Sequence, residues 1–216
     1  MQYMIHTMPK RLWYVENYLI PSMIEQGIDN KDILVYNDDK QEGNLRACMN
    51  AYLQLDDVGT TWHLQDDVVI SSRFAEVTKR NTKGIVCGFK SVYDGEKLGG
   101  SVGVNDMWFS FLCIHIPNSI AKKCATWVLN YIINNPIYKE WWENGKNDDM
   151  LFRKFIEQYY KDIMVLNLNP NIVDHIDYLI GGTVNSSKRG KQIRSKLWED
   201  DKAIQELEKK LKEAGR

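Results

Sequence analysis

Charge of one sign is what this chain most lacks. Its 28 Lys and Arg against 29 Asp and Glu leave a formal charge of -1 at pH 7, so no overall field draws it to nucleic acid or to an anionic membrane. Any such affinity must be local. The chain has no run approaching the roughly 20 apolar residues that a membrane helix needs. Met1 to Pro21, where a secretory signal would be continuously apolar, is broken by His6, Lys10, Arg11, Glu16 and Asn17. Its four cysteines, Cys48, Cys87, Cys113 and Cys124, stand singly with no CxxC pair, and they read as reduced and buried. No internal repeat is present. A cytoplasmic protein with no membrane span is therefore expected. The 216 residues, 44% hydrophobic and 11% aromatic, are enough to fill one sizeable core.

Short apolar runs alternate with helical patterns along the first half. Tyr3 to Met8 has the bounded look of a strand that Pro9 ends, and Leu12, Val15 and Leu19 share a helical face that Gln26-Gly27 closes. Ile33 to Tyr36 predicts a second strand ending in Asn37-Asp38-Asp39, and Gly43-Asn44 opens another helix through Leu53. Thr60 to Leu64 and Ile85 to Phe89 predict further strands, Trp108 to Ile116 another, and Ser119 to Ile133 a helix. This alternation predicts an α/β domain over residues 1–185 with a mainly parallel sheet flanked by helices, whose ligands collect beyond the carboxyl ends of the strands. The polar clusters Thr7 to Arg11, Asn37 to Asp39 and Gln65 to Asp67 fall at such ends.

Three groups of residues invite chemistry. Asp66 and Asp67 sit between the apolar runs Thr61 to Leu64 and Val68 to Ile70, so the turn is anchored in the core. Adjacent carboxylates there repel each other and lose hydration unless a cation or donors compensate. Mn²⁺ or Mg²⁺ would do so, since such ions take one or two carboxylates plus phosphate oxygens; the plainer alternative is an acidic turn in water. Asp148 and Asp149 precede the helical apolar face of Leu151, Phe152, Phe155 and Ile156. There they serve either as a helix start capped by Asn147 or as a general base toward an acceptor hydroxyl. His175 follows the Ile163 to Leu168 strand pattern, and it is either a structural histidine or a nitrogen ligand near Asp67 that favours Mn²⁺. The glycine-bearing stretch Tyr93 to Asp106 reads as a flap or a long hairpin, and Trp141-Trp142 as an aromatic platform or buried packing.

Taken in order, Asn37-Asp38-Asp39, the strand ending Gln65-Asp66-Asp67, the Asp148-Asp149 helix start and the segment Pro170 to Gly181 resemble a glycosyltransferase of the GT-A fold. Among these the chain is most similar to the compact bacteriophage forms, over roughly residues 2 to 182. The resemblance implies transfer of a sugar from a nucleoside diphosphate sugar, UDP-linked, to a hydroxyl, with inversion. It implies that Asp67 and His175 hold the metal, that Asp66 and Gln65 lie by the donor ribose or sugar, and that Asp149 or Asp148 is the base. Thr7, Pro9, Arg11, Asp38 and Arg46 fall in segments that line the nucleotide site, although a surface arginine is the commoner role for Arg11 and Arg46. Gln65 stands where relatives carry Asp or Glu, which removes one charge.

The remaining residues, 186–216, change character. Residues 188–216 hold ten Lys or Arg against six Asp or Glu, whereas residues 1–187 hold eighteen against twenty-three. Lys188, Arg189, Lys191, Arg194 and Lys196 suit sequence-independent phosphate contacts, and with the phage-like resemblance they make DNA carrying hydroxymethylated bases an expected acceptor. Alternatively the segment is a linker to an amphipathic helix whose Ile204, Leu207 and Leu211 dock on the body or mediate an oligomer. Two other functions stay open: a binding module of the same fold without catalysis, and a metal-dependent phosphodiesterase.

Overall fold

The computed structural model describes residues 1–81, 83–90, 110–144, 148–181 and 195–216. Strand β1 (Gln2–Thr7) leads into helix α1 (residues 12–25), and β2 (Ile33–Asn37) into α2 (Asn44–Leu53). Then come β3 (Thr60–Gln65), β4 (Val68–Ile70), α3 (Phe74–Arg80), β5 (Ile85–Cys87) and β6 (Cys113–Pro117). Helices α4 (residues 118–132), α5 (Pro136–Glu143) and α6 (Asp148–Tyr159) follow, then β7 (Val165–Asn167), β8 (Val173–His175), α7 (Asp177–Ile180) and α8 (Asp201–Glu213). Pro21 has no N–H to give the preceding turn of α1, and the helix widens there into a π-turn over Val15–Leu19, with Ile20 N–H donating to the Val15 carbonyl.

Six strands form one sheet in the order β2-β1-β3-β6-β5-β7. Pairs β1–β2, β1–β3 and β5–β7 are parallel. Strand β6 runs against both of its neighbours, β3 and β5, so the mainly parallel α/β sheet expected from sequence holds with one reversed strand. Period-two alternation sends successive side chains to opposite faces. Tyr3, Ile5, Trp62 and Leu64 meet α1 (Tyr14, Val15, Leu19) on one face, while Met4, Ile114 and Ile116 meet α2, α4 and α6 on the other. All four cysteines are buried thiols outside any disulfide.

Residues 195–216 belong to this body. Ile204, Leu207 and Leu211 of α8, with Trp198, are buried in the same cluster as α1 and β4. Ser72 N–H donates to Asp200 at 2.6 Å, and Asp200 also accepts from Ala203 N–H at the start of α8. The apolar stripe expected to dock on the body or to mediate an oligomer thus docks on the body. Among the described residues, no helix is long and apolar enough to cross a membrane.

Candidate functional site

The strand order places β2 and β3 on opposite sides of β1, with α1 and α2 on opposite faces of the sheet. Such a switch point opens a crevice beyond the carboxyl ends of the strands. A cleft of about 230 Å³ lies there, and its walls include His6 and Thr7 from β1, Arg11, Asp38 after β2, Gly43 and Asn44 at the start of α2, Gln65 at the end of β3, and Asp66 and Asp67 after it. Five of the sequence-derived donor residues, Thr7, Arg11, Asp38, Gln65 and Asp66, therefore share one cavity with the proposed metal ligand Asp67. Pro9 is exposed in the turn beside it. Arg46 faces elsewhere: its Nε donates to the Trp142 carbonyl at 2.9 Å, and its guanidinium lies 5.2 Å from the Trp142 ring centre.

The acidic turn is closed by a cation of the chain itself. Arg11, only 2% exposed, directs Nη1 to Asp66 Oδ1 at 2.8 Å and to Asp67 Oδ2 at 2.9 Å. The surface role that was the commoner alternative for Arg11 does not hold: two core-anchored carboxylates need a compensating charge, and Arg11 is buried to supply it. Asp66 Oδ2 also accepts from Thr7 Oγ1 at 2.9 Å and Met8 N–H at 3.2 Å, tying the end of β1 to the end of β3. Burial and the Asp67 charge raise the Asp66 pKa against the opposing pull of Arg11.

His175 arrives by a pairing of two short strands. Strand β4 pairs antiparallel with β8, Val68 facing His175, and His175 Nε2 comes to 3.0 Å from Asp67 Oδ2. The approach of β8 is fixed from behind. Gly88 N–H donates to Cys113 and Ile172 N–H to Gly88, and a Cβ on Gly88 would fall 2.7 Å from Cys113 Sγ and 2.8 Å from Ile172 Cγ1. Asn171 exchanges two hydrogen bonds with the Lys90 backbone. Burial pushes the Asp67 carboxyl up, but His175 and Arg11 outweigh it and hold its pKa well below the usual carboxylate range. For His175, burial favours the neutral ring, and Asp67 and Asp177 overcome that to raise its pKa.

Among the described residues, no group of three or more His, Cys, Asp or Glu is placed to hold a metal ion. The 3.0 Å between His175 Nε2 and Asp67 Oδ2 is a hydrogen-bonded contact and also matches the spacing of adjacent ligands of an octahedral ion bonded at about 2.1 Å, so the two would fit as a ligand pair once Arg11 gave up Oδ2. Asp67 Oδ1 is also buried without a protein partner. The other positions of such an ion would fall to phosphate oxygens and water.

Asp148 and Asp149 lie outside the cleft-lining residues. Asp148 is buried with no protein partner at Oδ2, and burial, then the Asp149 charge, push its pKa up to about 7. Its charge is felt by Cys48 and Tyr52 of α2; Cys48 is about one helical turn beyond Asn44 in the cleft wall. Asp149 is partly exposed, and its Oδ1 accepts from Met150 N–H at 2.8 Å. Tyr93 to Asp106, Asn147, Lys188, Arg189, Lys191 and Arg194 lie outside the described residues; Lys196 is within them.

Sequence reasoning passed over His6, which sits inside an apolar strand pattern. Burial lowers its pKa to about 4, so the cleft carries a neutral imidazole there. Gln41, Gly43 and Asn44 were also missed as cleft residues. Gly43, at φ 89°, makes the turn into α2, and Asp38 organises it by accepting from Glu42 and Gly43 N–H at 3.0 and 3.3 Å.

No protein-family model matches the chain, and no curated protein does. Among solved structures it is similar to the crystal structure of A197 from STIV, at 14% identity and a TM-score of 0.44, over 82% of this chain and 86% of that chain.

Proposed function

We propose that the chain is a glycosyltransferase of the GT-A type that uses a nucleoside diphosphate sugar. The observation that carries this reading is the Asp66-Asp67 turn at the β1/β3 switch point, with His175 brought to 3.0 Å of Asp67 by a strand pair remote in sequence. The cleft offers a guanidinium from Arg11 and the N-terminus of the ten-residue helix α2, a donor set suited to phosphate oxygens. Asp38 and His6 line it as well, beside the Thr7 end of β1, as polar contacts for ribose and base.

A divalent ion held by Asp67 and His175 would act as a Lewis acid toward the departing diphosphate. Arg11 adds fixed positive charge beside that group, and preorganised charge of this kind is usually the largest catalytic contribution. The acceptor hydroxyl gives up its proton to a carboxylate at the start of α6. Asp149 is the more accessible of the two, and Asp148 has the proton affinity suited to a base near neutral pH; displacement of the diphosphate by the hydroxyl oxygen in a single step inverts the anomeric centre. DNA with hydroxymethylated bases remains the proposed acceptor, through the basic segment ahead of Leu197.

Incubation with a panel of nucleoside diphosphate sugars and Mn²⁺, read by mass spectrometry, tests the proposal. UDP-sugar turnover that falls by at least ~10²-fold in Asp149→Asn or in Asp148→Asn, with donor affinity kept, supports it and identifies the base. Donor binding without turnover of any kind would reduce the protein to a binding module. Phosphodiester cleavage without sugar transfer would replace the reading altogether.

A further inference from the structure

A buried arginine already occupies the place where the proposed function needs a divalent ion. Arg11 Nη1 reaches both carboxylates of the turn, while its Nε and Nη2 are buried with no partner. A guanidinium has five N–H donors, and the three on these two nitrogens are unspent, which is costly for a charged group out of water. Asp67 has the complementary defect, since Oδ2 takes Arg11 and His175 while Oδ1 is buried and unpaired. Each partner of this contact is half satisfied, an arrangement suited to exchange rather than to permanence.

We infer that Arg11 is the resident counter-ion of the Asp66-Asp67 turn, that it holds the turn against free divalent ions, and that it releases Asp67 only when a diphosphate enters the cleft. Arg11 then turns its unspent donors to the phosphate oxygens, for which a planar guanidinium is well shaped. The carboxylates it leaves become available to the ion that travels with the diphosphate. Without the diphosphate, an ion must compete with a full positive charge under 3 Å from Asp67 Oδ2, and little attraction remains to favour it. Metal and nucleotide should therefore bind cooperatively, with Arg11 as the coupling residue. This inference rests on the proposed function.

The test is Mn²⁺ uptake by the full chain, followed by the loss of the free-ion electron paramagnetic resonance signal with and without UDP, corrected for Mn²⁺ held by free UDP. Wild type, Arg11→Gln and Arg11→Lys are compared. Wild type should take up Mn²⁺ weakly alone and roughly 10- to 100-fold more tightly with UDP, the usual range of such coupling. Arg11→Gln should bind Mn²⁺ alone more tightly than wild type, gain little from UDP, and rise in melting temperature on adding Mn²⁺. Arg11→Lys, which keeps the charge but lacks the planar fork, should take up Mn²⁺ alone as weakly as wild type and gain less from UDP. Equal Mn²⁺ affinity in wild type and Arg11→Gln overturns the inference, as does wild-type affinity that ignores UDP, a result that needs no variant to fold. Metal-free UDP binding with no Mn²⁺ uptake in any form also overturns it, leaving the donor cleft in place. If wild type binds neither UDP nor Mn²⁺, the proposed function falls with it.

Discussion

Asp67→Asn should cost stability as well as function, because Asp67 is a buried charge that two cationic partners compensate. Its Oδ2 accepts from Arg11 at 2.9 Å and from His175 at 3.0 Å, with 11% of the side chain exposed. Hydrogen bonds to charged groups contribute about 1.5–3 kcal/mol each, but Arg11 keeps Asp66 at 2.8 Å, so a net loss of roughly 2–4 kcal/mol is expected. For a chain of this length that lowers Tm by roughly 5–15 °C. The pH dependence is more telling. The depressed Asp67 pKa contributes stability that is present above the unfolded value near ~3.9 and is lost as pH falls through the folded pKa. The raised His175 pKa contributes stability that is fully present below ~6.5 and is lost as pH rises through its folded value. The gap between wild type and variant should be widest between about pH 4 and 6.5 and should narrow toward pH 9 as His175 loses its proton. Thermal melts in EDTA across that range measure it. A gap that stays constant from pH 5 to 9, or no gap at all, would refute the pairing of His175 with Asp67.

Asp148→Asn should have the opposite sign at alkaline pH. A folded pKa raised to about 7 means that wild-type stability falls as pH climbs from ~4 through 7. The variant should therefore be more stable at pH 8, by on the order of 2–4 kcal/mol, with the difference fading below pH 4 in urea titrations. Gly88→Ala should destabilise by about 1–3 kcal/mol, since the added methyl meets Cys113 and Ile172, and it should loosen the approach of β8 enough to weaken UDP binding in calorimetry. Removing residues 195–216 strips Trp198, Ile204, Leu207 and Leu211 from the core; the truncated chain should lose its cooperative melt, and a truncated chain that melts normally would contradict that packing.

Strands β1, β2 and β3 and helices α2 and α6 were legible because each is a bounded apolar run or a periodic face with polar residues at its ends. The turn Asp66-Asp67 was legible for the same reason, lying between two such runs. What brings His175 to it was not: β4 and β8 are three residues each, too short to show a period, and only tertiary pairing fixes their register. Arg11 carries no local signal of burial, since a lone arginine on a helix start looks the same whether it faces water or a carboxylate pair. His6 was hidden by its neighbours, which make β1 read as an apolar strand. The stripe of α8 was visible as Ile204, Leu207 and Leu211, but a stripe states that a face is buried, not against what.

The most direct test of the central claim is a crystal structure of the protein soaked with UDP and Mn²⁺. The diphosphate should lie in the cleft between the ends of β1 and β3, with Mn²⁺ bound by Asp67 and His175 and with Arg11 turned onto the phosphates. UDP found instead in the hollow of about 310 Å³ between α1 and α8, or Mn²⁺ bound away from Asp67, would contradict the account.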